Sequence, residues 1–391
     1  MLPVTFVTYQ ACFCFCSRRS RGRLVAWLVR APVVVSWPLA KLGSADTLEF
    51  MLATRFCARL GSLAPIVLAP MGGCAGGRLA AAVSAAGGVG LVGSGGESLE
   101  YLRSEWSAAI ASPDVHRHNL GFGMNINQLE EHPPGTLEAL LEELQPAHLY
   151  LSFGNIGPHA QAALDAGVHL YSNAGNTETA LAHARAGATC VVMQGSDAGG
   201  HTSDAASVFS LVPQARTALD LEGYAETLLV AAGGVSDGRG VAAALALGAD
   251  AAVLGTRFAA AAESEYTDAQ KAALVATSCG ATGTTIGTFI DAVRGIDEHS
   301  SGCPGRCIVN KTTKLEAEWR RAGGDAGARA AIRATHEAGV AASGEGLEWG
   351  ATWAGASVGL VTAVKPAEEI IAEVVAEATQ AIRKSAAALQ A

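Results

Sequence analysis

The 391-residue chain is poor in charge and in aromatic rings: 16% of its residues are Asp, Glu, Lys or Arg and 6% are Phe, Trp or Tyr, against 50% hydrophobic. Scarce charge beside abundant apolar side chains excludes a disordered chain and supplies a large buried core. A basic excess is missing as well. The formal charge of −9 lacks the footprint that a phosphate backbone demands, so nucleic acid is not an expected partner. No apolar run is long enough to span a bilayer, because the stretch 24–37 is broken by Arg30 and Pro32. The nine cysteines show no small-domain disulfide pattern, and the pair Cys303 and Cys307 with nearby His299 matches no standard zinc spacing. Free thiols, no metal and a reducing compartment are therefore expected. These absences leave a globular protein that acts on a small molecule.

Charge is also unevenly placed. The first 45 residues hold five Arg and one Lys with no acid, leaving 21 basic against 36 acidic residues in the remainder. An Arg-rich, acid-free leader is similar to a mitochondrial transit peptide; equally, Met51 is the functional start, with 51–56 leading straight into the first strand. If Met51 is the start, residues 1–50 are an extension that the fold does not need, and on either reading they are expected to be poorly ordered. The expected compartment is the cytoplasm, or the mitochondrion if the leader is genuine.

From Pro65 onward, short β-branched or apolar runs alternate with Ala-rich helical stretches. Strands are predicted at 65–71, 89–93, 120–126, 147–154, 168–174, 189–195, 227–233 and 251–256, and helices at 78–86, 98–111, 136–145, 158–166, 177–186, 209–219 and 240–247. Eight such units of about 25 residues predict an α/β fold, a closed (β/α)₈ TIM barrel, over 51–262. No Gly-x-Gly-x-x-Gly turn links the first strand to its helix, which argues against a dinucleotide-binding open sheet. Alternation stops after Phe258. Residues 263–348 are expected to form a mainly helical cap, with a turn-rich insert at 297–305, and 349–391 a C-terminal segment whose helix, from Ala367 to about Ser385, packs back on the barrel.

Reactive groups of such a barrel lie where strands end. Strand seven runs into Gly233 and Gly234 and then a helix start at Ser236-Asp237-Gly238; strand eight runs into Gly255 and Thr256. Glycine lets backbone N–H groups approach a phosphate, and a helix N-terminus adds partial positive charge, so these two tails are expected to form a phosphate grip. Strand six ends at Gln194 and continues into Ser196-Asp197-Ala198-Gly199-Gly200-His201-Thr202, a long glycine-rich loop carrying a histidine at the reactive rim. A histidine there is placed to take or hold a proton near neutral pH. Strand one ends Ala69-Pro70-Met71 and strand three ends at Asn125, whose amide both donates and accepts.

The separated runs Pro65–Met71, Gly123–Asn125, Gln194–His201, Ala231–Gly238 and Gly255–Phe258 together resemble the nitronate monooxygenase family, formerly 2-nitropropane dioxygenases, from about Arg55 to the C-terminus. The resemblance implies an FMN-dependent barrel with an inserted cap. It implies FMN contacts from Ala69, Pro70, Met71, Asn125, Gln194, Gly199 and Gly200, with phosphate held by Gly233, Gly234, Gly255 and Thr256. A further contact falls on strand five at Ser172 or Asn173. His201 matches the family's catalytic histidine, the base or anion stabiliser in oxidation of nitroalkanes or nitronates by O₂ to a carbonyl compound and nitrite. Two alternatives keep the barrel: an FMN-dependent NAD(P)H enoyl or quinone reductase, and a barrel that binds a phosphometabolite without turnover. A homodimer is left open.

Overall fold

The computed structural model describes residues 52–95, 97–202, 206–296, 303–342 and 348–388. The expectations placed on the leader and on His299 lie outside them. Eight parallel strands form the barrel: β1 (Ile66–Leu68), β2 (Gly90–Ser94), β3 (Leu120–Asn125), β4 (His148–Ser152), β5 (His169–Ala174), β6 (Cys190–Gln194), β8 (Leu228–Ala232) and β9 (Ala251–Leu254). A further short strand, β7 (Gly200–His201), lies between β6 and β8 in sequence. The order β1-β9-β8-β6-β5-β4-β3-β2 is closed by a parallel bridge from Val67 to Val89, with Val89 N–H donating to the Ile66 carbonyl at 2.9 Å.

The two-residue period of each strand sorts its side chains. Ile66, Leu68, Ala252 and Leu254 face outward into the layer shared with the helices, whereas Val67, Ala251 and Val253 face the barrel axis together with Tyr150, Tyr171 and Val192. The N-terminal end of the barrel is not entered directly from Met51 as expected. Thr54 accepts a hydrogen bond from Cys57 N–H and starts the helix Arg55–Leu60, whose Phe56 and Leu60 join the axial cluster, Phe56 meeting Tyr171 edge-on at 6.5 Å.

Helix Ala367–Ala388 packs against Gly238–Ala246 and Gly77–Ala85. The approach is close enough that a Cβ on Gly238 would stand 2.3 Å from both Ala378 N and the Val374 carbonyl oxygen. Between β9 and this helix the described residues form several short helices and one of 17 residues, together with two strands, β10 (Thr284–Gly287) and β11 (Gly305–Ile308). They form a small antiparallel sheet of order β10-β11-β7, pairing Gly305 with His201 and Arg306 with Gly200. Neither Thr284–Gly287 nor Gly305–Ile308 carries the apolar run that marks the barrel strands, which is why the sequence pattern reads only helices there. Among the described residues no helix is long and apolar enough to cross a membrane.

The barrel axis carries a histidine with a pH consequence. His148 is fully buried, its Nε2 donating to the His118 carbonyl at 3.0 Å and its Nδ1 accepting from Tyr171 Oη at 3.1 Å. Burial first, then the neighbouring His169, pushes its pKa down from 6.5 to about 3. The folded protein keeps this ring neutral where the unfolded chain binds a proton, so stability is lost as pH falls from 6.5 toward 3. The expected slope is about 1.4 kcal/mol per pH unit from this residue alone. Urea unfolding at neutral and acidic pH checks it: His148→Asn should flatten the dependence, and an unchanged slope in the variant would assign the loss elsewhere.

Candidate active site

The C-terminal ends of the barrel strands open into a cavity of about 560 Å³. Nearly every expected tail reaches it: Ala69, Pro70 and Met71 after β1, Asn125 at the end of β3, Gln194 at the end of β6, Gly199, Gly200 and His201 on the next loop, Gly233 and Gly234 after β8, and Gly255 and Thr256 after β9. Asn173 does not line it. Buried behind the wall, Asn173 accepts from Phe153 N–H at 3.2 Å and donates to Gln194 Oε1 at 2.9 Å. Gln194 then donates Nε2–H to the His201 carbonyl at 3.0 Å. Asn173 thus sets the amide that holds the His201 backbone, and it works one residue back from the cavity surface. Ser172, the other strand-five position, is also buried and away from the lining.

The glycine tails build a cradle of main chain. Gly233 and Gly234 adopt φ of 101° and 74°, a region that side chains avoid. A Cβ on Gly233 would lie 2.9 Å from Ala198 N and 3.0 Å from the Gly195 carbonyl oxygen. The amides of Gly233 and Gly234 donate to no described residue. Gly199 has a different use, since a Cβ there would meet the Ala354 carbonyl carbon and Gly355 N at 2.6 Å. Its bareness lets the segment after the cap close over the strand-six loop.

The positive end of the helix after β8 is not available as expected. Gly240 N–H donates to Asp237 Oδ1 and Gly238 N–H to Glu377 Oε2, each at 2.9 Å, so two carboxylates already meet that dipole. Arg257 is turned away too, bonded to the Ala363 carbonyl at 3.1 Å and lying 3.6 Å from Glu373. What lines the cavity here is Gly233 and Gly234, whose amides have no partner among the described residues, and Thr256, whose hydroxyl accepts from Gly355 N–H at 2.9 Å and keeps its own proton to donate. This is a neutral donor set that fits a phosphate group.

His201 is held from three sides. Its backbone pairs with β11, its ring lies 5.0 Å from the Trp353 ring, and its Nε2 is 2.6 Å from Asp291 Oδ2. The Asp291 side chain, on helix Phe289–Val293, is only 4% exposed, and Arg294 Nη1 approaches its other oxygen at 3.6 Å. Gly305 makes room for the indole, because a Cβ there would sit 2.6 Å from the Trp353 ring. Arg306 ties the cap to the loop base through the Ser196 carbonyl, at 3.1 and 3.3 Å. Asp291, Arg294 and Trp353 all line the cavity and were not identified from the sequence. Their positions, 90 or more residues beyond His201 in Asp291 and Trp353, carry no local pattern that marks them.

A buried carboxylate hydrogen-bonded to a histidine is an arrangement that orients the ring and steadies it when it takes a proton. A family model described as nitronate monooxygenase matches residues 108–377. A nitronate monooxygenase of Neurospora crassa is 31% identical over 352 residues, 82% of this chain and 90% of that protein. The solved structure of FabK from Thermotoga maritima has a TM-score of 0.69 at 26% identity, covering 86% of this chain and 99% of that one. That of nitroalkane oxidase from Streptomyces ansochromogenes has a TM-score of 0.65 at 27% identity, covering 84% and 99%. Matching over most of its length, with its separated motif segments meeting around one barrel mouth, this oxidoreductase belongs to the nitronate monooxygenase family.

Proposed function

We propose that the cavity holds FMN and that the chain oxidises alkyl nitronates with O₂, giving a carbonyl compound and nitrite. The observation that carries this reading is the His201–Asp291 pair, 2.6 Å apart, in the same cavity as the glycine cradle. The amides of Gly233 and Gly234, with Gly255 and Thr256, hold the phosphate; Ala69, Pro70, Met71, Asn125, Gln194, Gly199 and Gly200 wall the ring system. When bound, the flavin supplies the electron-accepting and oxygen-activating chemistry.

The chain's own work is with the proton and the anion. A neutral His201 that donates Nε2–H to Asp291 presents Nδ1 as its lone pair. That nitrogen takes the proton α to a nitro group, and Asp291 steadies the imidazolium that forms. A substrate that arrives as the nitronate needs no base; His201 then serves as a donor to the anion, with Arg294 supplying positive charge from the same wall.

The deciding experiment is the visible spectrum of the pure protein, followed by oxygen uptake with a nitronate and, separately, anaerobic mixing with NADH. A yellow protein that consumes O₂ with the nitronate is expected. Rapid bleaching by NADH without nitronate-dependent uptake would replace this reading by the reductase alternative. The cradle has its own test. Gly233→Ala places a methyl group against the Ala198 amide at a positive φ, a strain of about 1–3 kcal/mol, so the Kd for FMN should rise about 10- to 100-fold. Flavin fluorescence titration measures it, and an unchanged Kd removes Gly233 from the phosphate site.

A further inference from the structure

The cap contains a second cavity, of about 680 Å³, whose walls include Phe289, Ile296, Trp319, Arg320, Arg329 and Arg333. Its charge is not balanced. Arg320 is paired with Glu316 at 2.6 Å, but the Nε atoms of Arg329 and Arg333 are buried with no hydrogen-bond partner. Asp325, four residues before Arg329, is engaged in capping the helix, accepting from Gly327 and Ala328 N–H, and Glu337, four residues after Arg333, is exposed.

Arg329 and Arg333 stand four residues apart on helix Ala326–Ala342 and both lie over the Trp319 ring, at 4.8 and 5.5 Å from its centre. Two like charges at this spacing repel each other. Stacking on indole keeps the guanidinium groups in place but does not neutralise them. A dianion between them converts that repulsion into two charge-assisted hydrogen-bonding forks. The volume is far larger than an inorganic phosphate fills and falls in the range of small-molecule sites. Phe289 and Trp319, packed edge-to-face at 5.7 Å, add an aromatic wall.

We propose that this cavity is a binding site for a nucleotide bearing a phosphomonoester, with Arg329 and Arg333 holding the phosphate and the aromatic wall the nucleoside. It is adjacent to the reaction cavity: Ile296 lines both, and helix Phe289–Val293 presents Asp291 to one and Phe289 to the other. Two kinds of molecule carry this group, a 2′-phosphorylated dinucleotide and a 3′-phosphorylated acyl carrier thioester. The site does not depend on the nitronate reading.

Calorimetric titration of the full chain saturated with FMN tests it, using adenosine 2′,5′-bisphosphate and adenosine 3′,5′-bisphosphate as probes at physiological ionic strength. Saturation with FMN keeps the probes out of the glycine cradle, and the readout needs no turnover, so loss of the redox reading leaves this result intact. One-to-one binding of at least one probe is expected, weakened about tenfold or more by Arg329→Gln and by Arg333→Gln. The tighter isomer identifies the source. Absence of binding by both probes to the unaltered protein overturns the proposal whether or not the variants fold, as does an affinity that both variants leave unchanged.

Discussion

His201→Asn should leave FMN bound while slowing turnover of neutral nitroalkanes by roughly 10²–10⁴-fold, the usual worth of a general base. Turnover of preformed nitronates should be largely spared. The ring contacts to Asp291 and Trp353 are lost, but the segment keeps its main-chain ties: the His201 carbonyl accepts from Gln194, and the backbone pairs with Gly305. Neither contact uses the imidazole. The phosphate cradle lies on other strands, so flavin content reports separately on folding. Oxygen uptake with nitroethane and with ethyl nitronate, run side by side, makes the measurement. Equal loss on both substrates would contradict proton abstraction and leave His201 as a group that only steadies the anion.

The second large effect is expected at Asp291. Asp291→Asn keeps the shape of the side chain but removes the charge that faces the imidazole at 2.6 Å. It also lets the amide donate, which favours the ring tautomer with its lone pair directed at position 291 and its proton on the nitrogen meant to act as base. A ring held in the wrong tautomer cannot accept the substrate proton, so turnover of neutral nitroalkanes should fall roughly 10²-fold or more, with KM nearly unchanged. Because the two side chains act as one unit, the double variant with His201→Asn should be no slower than His201→Asn alone. Losses that multiply in the double variant would show that Asp291 acts independently of His201. Loss of nitronate turnover to the same degree would point instead to disruption of the helix Phe289–Val293.

The barrel was legible because its signal is local and repeated. Each strand carries its own short apolar run, each helix its own stop, and the eight units recur in order, so periodicity alone locates β1 to β6, β8 and β9. The tails at Gly233, Gly255 and His201 were legible for the same reason: in this architecture a strand end is a place in space as well as in sequence. The glycine tails do reach the cavity, but the helix start expected to join them is already met by carboxylates. Nothing near Gly238 in the sequence announces that Glu377 will return to occupy its amide, so the electrostatic part of the grip needed the folded chain.

By itself, then, the sequence determined the barrel, the rim on which His201 stands and the two bare tails that face the cavity, since these follow from short-range periods and from glycine's freedom of φ. Only tertiary structure decided who stands beside them. Asn173 is taken off the cavity surface by Gln194 of the neighbouring strand, whose amide it bonds at 2.9 Å. Asp291 and Trp353 were brought to His201 by a cap whose strands and helix lack any period of their own. The histidine's hydrogen-bond partner is a carboxylate 90 residues away, and such a pairing is written in packing, where no local pattern records it.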